Sequence, residues 1–180
     1  MPLIFQYGSN TDTDRLNSPK RLNGDAVDRG RAQTIDEYDF AFDKWSDTNR
    51  CAASDLIKPK TGGRRIWGVL YKVSRAGFKK LKGIEGPSYR PQRMSVVDAT
   101  GATVRVTTFR VRRDRRQPGL HTTEEYVGHI VKGLRARGVE ELEPAYIQHV
   151  IDVAIRTNEQ AEDQDAGRRQ NALIEKLRHP

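Results

Sequence analysis

The stretch PLIFQYGSN, residues 2–10, is the segment from which the fold of this chain can be worked out. Its apolar run is long enough for one buried strand, and the run breaks at Gly8, which two small polar residues follow. Residues 11–14 read TDTD, and such side chains cap the first turn of a helix. A strand that enters a helix through such a turn exposes several backbone N–H groups beside the positive helix end. The stretch therefore predicts a binding site for a carboxylate or a developing oxyanion.

Composition and charge limit the class of protein. The 180 residues suit one domain, and Cys51 is the single cysteine, so no intrachain disulfide can form. The net charge of +8, from 32 Lys and Arg against 24 Asp and Glu, permits a nucleic acid or an acidic partner without selecting either. No stretch approaches the roughly 20 apolar residues of a membrane span, and the sequence opens without a basic leader before an apolar segment. We therefore expect a cytoplasmic protein that does not enter a membrane.

Alternating apolar residues predict strands in the first two-thirds of the chain. In residues 32–44, Tyr38, Phe40 and Phe42 share one face, which is typical of a half-buried strand. Further strands are predicted over residues 51–57, 66–73, 89–99 and 102–111. Residues 17–31 are polar and contain proline and glycine, so they read as a loop or an irregular helix.

Helices are predicted after the fourth strand and at the end of the chain. Ser74 can cap a helix to about Ile84, and Thr122 with Glu125 forms a capping-box pattern. Pro144 suits the first turn of a further helix. Residues 158–180 read as a helical or mobile tail. Strands followed by helices predict an α+β fold, a mixed sheet or small barrel with helices packed outside.

Three short motifs and one tyrosine occur in a recognisable order. They are YGSN at residues 7–10, WGVLY at residues 67–71, LKGIEG at residues 81–86, and Tyr89. In this order and spacing the chain resembles the γ-glutamylcyclotransferase-like family, also described as AIG2-like, over about residues 2–111. The resemblance implies a small mixed β-barrel with flanking helices, which we expect to span residues 1–157.

The resemblance also implies an enzyme that cyclises a γ-glutamyl amide, either a peptide or an amine, to 5-oxoproline. The free α-amino group attacks its own γ-amide carbonyl, so the substrate itself supplies proximity. One carboxylate can take the proton from the α-ammonium and return it to the leaving nitrogen. The implied proton shuttle is Glu85, and the implied substrate-binding residues are Tyr7, Gly8, Ser9, Asn10 and Tyr89. Neither a metal nor an organic cofactor is implied, and no His, Cys or Asp residues have ligand spacing.

Lys82 departs from the family pattern, which often has an acidic residue after the leucine of the glutamate motif. Lys82 and Glu85 are three residues apart and could share one helix face. A cation there would favour the ionised carboxylate and lower the pKa of Glu85, which weakens it as an acid. The alternative is that Lys82 points to solvent.

A cluster of arginines supports a different class of function. Its members are Arg105, Arg110, Arg112, Arg113, Arg115 and Arg116. On this view the chain is a non-catalytic binding module that uses the surface from Arg110 to Arg116 for nucleic acid or an acidic partner. A solvated basic edge that prevents pairing with another strand also explains the cluster.

The leaving group is left open by the resemblance. Glutathione, γ-glutamyl amino acids and γ-glutamylamines present the same reacting end. Loop residues must therefore distinguish them by their leaving groups. Residues 43–50 and 117–121 are candidates for this role. The arginines near residue 112 suggest a leaving group with a carboxylate.

Overall fold

A computed structural model describes residues 1–179 of the chain, and its centre is one six-stranded sheet. The strands are β1 (Leu3–Gln6), β2 (Val27–Ser46), β3 (Cys51–Ile57), β4 (Arg64–Lys72), β5 (Tyr89–Asp98) and β6 (Thr103–Val111). Their order is β3-β2-β4-β1-β6-β5, and β2 also pairs with β5. Five strands therefore close into a barrel, while β3 extends it as a hairpin with β2. The barrel is mixed because β1 and β6 are parallel and the other neighbours antiparallel, which confirms the predicted fold class.

β2 is 20 residues long and begins earlier than the sequence predicts. The expected loop over residues 17–31 is wrong in its last part, since β2 starts at Val27, which pairs with Lys72. Val27 is half-exposed and its neighbours are polar, so no apolar alternation marks this part of the strand. It is held by backbone pairing with β4 rather than by burial.

The helices pack around the barrel. They are α1 (Thr13–Leu16), α2 (Arg75–Glu85), α3 (Glu124–Arg135), α4 (Val139–Leu142), α5 (Pro144–Glu159) and α6 (Gln164–Ile174). The predicted cap of α2 is confirmed, because the Ser74 hydroxyl accepts from the Gly77 N–H at 2.9 Å. Within residues 1–179, no helix has both the length and the apolar character needed to cross a bilayer.

The predicted cap of α3 is wrong by one residue. The Thr123 hydroxyl accepts from the Tyr126 N–H, whereas Thr122 is fully buried. The Thr122 hydroxyl donates to the Ala52 carbonyl at 2.9 Å, and its N–H donates to Asn158 Oδ1 at 2.7 Å. Thr122 therefore ties the start of α3 to β3 and α5 and is not free to cap the helix.

Two apolar clusters hold the barrel and the helices together. The larger one joins the sheet to α3 and α5 and includes Phe5, Leu70 and Ile147. The smaller one lies under α2 and includes Val69, Leu81 and Phe109. This second cluster anchors α2 on the barrel and so fixes where the last residue of the helix, Glu85, lies.

The last residues of the described chain are helical. α6 packs on α5, and Gly167 lies so close to the Asn158 carbonyl that a side chain would not fit between them. The Asn158 Nδ2 donates to Asn171 Oδ1 at 2.9 Å. The boundary expected between residues 157 and 158 falls inside α5.

Candidate functional site

The loop after β1 carries the backbone donors that the sequence suggests. The Gly8 carbonyl accepts from the Thr11 N–H at 2.9 Å, which closes a 3-10 turn over Ser9–Thr11. Within residues 1–179, the N–H groups of Gly8, Ser9 and Asn10 have no hydrogen-bond partner. These three donors are therefore available to an oxygen of a ligand.

Gly8 is needed in this loop because of a close approach. A Cβ at this position would collide with the Ser54 hydroxyl on β3 and would lie 3.4 Å from the Tyr126 hydroxyl. The Ser54 and Tyr126 hydroxyl groups lie 3.2 Å apart, at hydrogen-bonding distance. Glycine therefore allows the loop to lie directly against this pair.

The helix after the loop contributes less than the sequence suggests. α1 spans a single turn of four residues and is capped by the Asp12 side chain, which accepts from the Asp14 N–H. The macrodipole arises from aligned peptide units, and one turn aligns few of them. Any anion-binding site here thus depends on the backbone N–H donors of the loop itself.

The loop after β1 is held by hydrogen bonds to α3 on one side and to the barrel on the other. The Thr11 hydroxyl donates to the Ile130 carbonyl of α3 at 3.3 Å, and the Tyr71 hydroxyl donates to the Thr11 carbonyl at 3.0 Å. On α3, Gly133 has no side chain, and a Cβ there would lie 2.6 Å from the Asp12 nitrogen. The donors are therefore held by the barrel and by α3.

Glu85 lies beside this loop although 75 positions separate it from Asn10. The Asn10 Nδ2 donates to Glu85 Oε1 at 3.0 Å. Both residues line one cavity of about 610 Å³, together with Tyr7, Gly8 and Ser9. Tyr89 lines it as well, so the structure brings all six residues predicted from the sequence to one cavity.

The orientation of the Asn10 side chain follows from Arg21. The Arg21 guanidinium donates to Asn10 Oδ1 at 2.9 Å, and a guanidinium can only donate. The Asn10 nitrogen must then face the other way, towards Gln6 Oε1 at 3.3 Å and Glu85 Oε1. A cation thus fixes the amide that contacts the carboxylate.

The carboxyl of Glu85 titrates near neutrality. Burial raises the pKa of Glu85 to about 7, against the opposing effects of nearby cations and the Asn10 hydrogen bond. The cations are Arg21, Lys44 and Arg15. A carboxyl with a pKa near neutrality can serve both as a base and as an acid.

Lys82 does not belong to this group of cations. Its side chain is exposed, and it does not line the cavity. The structure therefore agrees with the interpretation in which Lys82 points to solvent.

The hydroxyl groups of Tyr7 and Tyr89 both donate hydrogen bonds to backbone carbonyls. The Tyr7 hydroxyl donates to the Phe109 carbonyl at 2.7 Å, and the Tyr89 hydroxyl donates to the Ser54 carbonyl at 3.0 Å. Burial raises the pKa of both phenols well above the usual value. In this arrangement the tyrosines shape the cavity wall, and neither is placed to donate its proton elsewhere.

Four cations line the cavity: Arg15, Lys20, Arg21 and Lys44. Lys44 lies in the segment 43–50 that the sequence marks for the leaving group. The other three lie on or after α1, in a stretch whose polar composition gives no sign of a site.

Only some members of the arginine cluster are exposed. Arg110 is buried, and its Nε donates to the Leu56 carbonyl at 2.6 Å. Arg116 pairs with Asp55 at 2.8 Å and with Asp43 at 3.5 Å. Arg112, Arg113 and Arg115 are exposed. No member of the cluster lines the cavity that holds Glu85, so the arginines near residue 112 do not reach a leaving group there.

Metal ligation has no support in the described part of the chain. Among residues 1–179, no group of three or more His, Cys, Asp or Glu side chains is arranged to hold an ion. The polar groups that line the cavity include the carboxyls of Glu85 and Glu125, the backbone donors of the loop and several cations.

Comparisons with known proteins point to one family. The AIG2-like family matches residues 65–157. Among solved structures, a γ-glutamyl cyclotransferase has 19% identity and a TM-score of 0.69, with 83% of this chain and 85% of that chain covered. An uncharacterized protein from Homo sapiens has 19% identity and a TM-score of 0.68, with 82% and 85% covered. YkqA from Bacillus subtilis has 22% identity and a TM-score of 0.59, with 81% and 54% covered.

Because the sequence identities are low, these structural similarities show a shared fold and nothing more. No curated protein sequence matches the chain.

Proposed function

The chain belongs to the AIG2-like family, and from this we propose that it is a γ-glutamylcyclotransferase-like enzyme. It cyclises a γ-glutamyl amide to 5-oxoproline and releases the amine. The observation that carries the proposal is the contact between Glu85 and Asn10, which joins a titratable carboxyl to a loop of unpartnered backbone donors.

The loop binds an oxygen of the γ-glutamyl group. Backbone N–H groups aimed at an oxygen stabilise negative charge without having to reorganise during the reaction. The N–H groups of Gly8, Ser9 and Asn10 would hold the substrate carboxylate, or the γ-carbonyl oxygen as it becomes negative. Holding the γ-glutamyl chain folded brings its amine close to its own carbonyl carbon.

Glu85 moves the protons. Ionised Glu85 takes a proton from the α-ammonium, and the freed amine attacks the γ-carbonyl carbon to form the new C–N bond. The tetrahedral intermediate then collapses: Glu85 returns its proton to the leaving nitrogen and the C–N bond to the leaving group breaks. The ring nitrogen gives up its second proton as the lactam forms, and the released amine takes up a proton to leave as an ammonium. Asn10 donates to one carboxylate oxygen, which leaves the second oxygen for this proton transfer.

A carboxylate exchange tests the proposal. We expect Glu85→Gln to lower 5-oxoproline release by about 10²-fold or more, because loss of a general acid–base removes an effect of this size. The assay is mass detection of 5-oxoproline after incubation with glutathione, a γ-glutamyl dipeptide and a γ-glutamylamine. Glu125→Gln is the matched control, since Glu125 is an exposed carboxylate that lines the same cavity.

We expect the Glu125 variant to keep its activity. Turnover retained by a folded Glu85→Gln protein would refute the role of Glu85. Absence of 5-oxoproline from every substrate with the unmodified protein would refute the proposed function as a whole.

A further inference from the structure

A β-bulge places Lys44 on the cavity face of β2. The pairing of β2 with β3 runs from Phe42 opposite Ser54 to Lys44 opposite Ala53, so one extra residue lies between them. In a regular strand Lys44 would share the face of Phe42, but the bulge moves it to the face of Ala53. Lys44 and Ser46 share this face of β2 and both line the cavity, whereas Phe42, on the other face, does not.

Lys44 is a half-buried cation with no acceptor of its own. Within residues 1–179, its Nζ makes neither a hydrogen bond nor an ion pair. Two other cations of the cavity are engaged, since Arg15 donates to Asn49 Oδ1 at 2.6 Å and Arg21 donates to Asn10. Lys44 therefore has all three N–H donors available.

The position of Lys44 suits contact with the leaving group of the substrate. Its Nζ lies 5.9 Å from the centre of the Tyr89 ring, and its charge opposes the rise in the pKa of Glu85. Glu85 must reach the leaving nitrogen to protonate it, so the leaving group lies close to Glu85. Glu85 also serves the α-amino nitrogen, but the loop donors take the γ-glutamyl half, so we assign the wall formed by Lys44 and Tyr89 to the leaving group.

The charge of the cavity favours a second anionic group on the substrate. Arg15, Lys20, Arg21 and Lys44 line it, against the carboxyls of Glu85 and Glu125. The loop donors can hold an oxygen of the γ-glutamyl half, which leaves Lys44 without a partner. A carboxylate next to the leaving nitrogen would satisfy it.

Resting on the proposed function, we propose that Lys44 binds the carboxylate of the leaving amino acid. The enzyme then prefers γ-glutamyl amino acids and peptides to γ-glutamylamines. Lys44 is a specificity residue: it contacts the leaving group and takes no part in moving the proton.

Two substrates that differ by a single carboxylate test this inference. They are γ-glutamylalanine and γ-glutamylethylamine, whose leaving amines differ only in the carboxylate of alanine. We expect kcat/KM of the unmodified protein to be about tenfold higher for γ-glutamylalanine, the effect of one charged hydrogen bond. We expect Lys44→Met to remove most of this preference and Lys44→Arg to keep part of it.

The ratio of the two substrates separates recognition from indirect effects. Any change in the pKa of Glu85 or in the fold affects both substrates and cancels in the ratio. Lys20→Met removes another cation from the same cavity, at an exposed position where solvent and salt screen its charge, and should change the ratio far less than Lys44→Met.

Two results would overturn the inference. One is an unmodified protein that does not distinguish the two substrates, and the other is a Lys44→Met protein that loses activity equally on both. In either case 5-oxoproline would still form, so the proposed function would stand. An unmodified protein that forms no 5-oxoproline from either substrate would refute both.

Discussion

Asn10 is the residue through which the two distant parts of the site meet. Its side chain spans Arg21 and Glu85 by two hydrogen bonds of 2.9 and 3.0 Å. The hydrogen bond from Arg21 to the Asn10 oxygen orients that amide, so Arg21 influences Glu85 both by its charge and through Asn10. Arg21 is thus a positioning residue for the carboxyl.

The pH dependence of the reaction should reveal this role. The base must be ionised, so kcat/KM should rise with pH through a midpoint near 7, the pKa of Glu85. The charge of Arg21 lowers that pKa, so Arg21→Met should move the midpoint to higher pH. The measurement is the pH profile of kcat/KM on one γ-glutamyl substrate.

Lys82→Met is the control for that profile. It also removes one positive charge near Glu85 in the sequence, but from an exposed side chain outside the cavity. We expect its midpoint to match that of the unmodified protein. A Lys82 variant that shifts as far as the Arg21 variant would show that net charge, and not the contact with Asn10, sets the midpoint.

Among the elements, α3 controls the shape of the loop after β1. It approaches the loop at Gly133, where a Cβ would collide with backbone atoms of Thr11 and Asp12. Backbone atoms cannot move aside as the end of a flexible side chain can. A substituent at this position must therefore push α3 and the loop apart.

A pair of Gly→Ala exchanges in two helices tests this packing. We expect Gly133→Ala to lower the free energy of unfolding by about 1–3 kcal/mol, because it overpacks a tight contact. Gly83→Ala in α2 should raise it by about 0.4–1 kcal/mol, since nothing lies within 4 Å of its Cβ. Urea unfolding followed by circular dichroism measures both values. A Gly133 variant as stable as the unmodified protein would show that α3 is not a fixed clamp.

At the scale of the whole molecule, the C-terminal residues are joined to the barrel through Asn158. This side chain is fully buried, and it contacts both the N-terminus of α3 and Asn171 of α6. Removing it leaves the buried N–H of Thr122 without its acceptor. An unsatisfied buried donor costs about 1–3 kcal/mol.

We therefore expect Asn158→Ala to lower the melting temperature by about 2–12 °C, the range that corresponds to this cost in a domain of this size. Gln160→Ala, at an exposed position two residues later, should leave it unchanged. Differential scanning calorimetry measures both variants. A Tm for Asn158→Ala equal to that of the unmodified protein would mean that the hydrogen bonds of Asn158 do not stabilise the fold.

The sequence is informative about the molecule wherever burial leaves a pattern. β4 carries apolar residues on both faces, and the end of β2 buries Tyr38, Phe40 and Phe42 in alternation, so both segments are predicted as strands. The start of β2 is polar and half-exposed, so only its pairing with β4 defines it.

Within the site, some residues are marked by sequence motifs and others are not. The YGSN stretch and Glu85 are marked by motifs, so the sequence alone suggests them. Arg21 follows no periodicity, and its role depends on a contact with Asn10 that only the folded chain makes. Lys44 faces the cavity because of a bulge, an irregularity that alternation cannot reveal.

The three unpartnered amides of the loop after β1 belong to the peptide backbone, which every genetically encoded residue except proline retains. An alanine scan of this segment would therefore leave the donors in place. Its effects at Gly8 and Asn10 would report the collision with Ser54 and the lost contact with Glu85, not the amides. Replacing single amide nitrogens by ester oxygens, through chemical synthesis or hydroxy-acid incorporation, removes one donor at a time. Such a backbone edit isolates the contribution of the amides from that of the side chains.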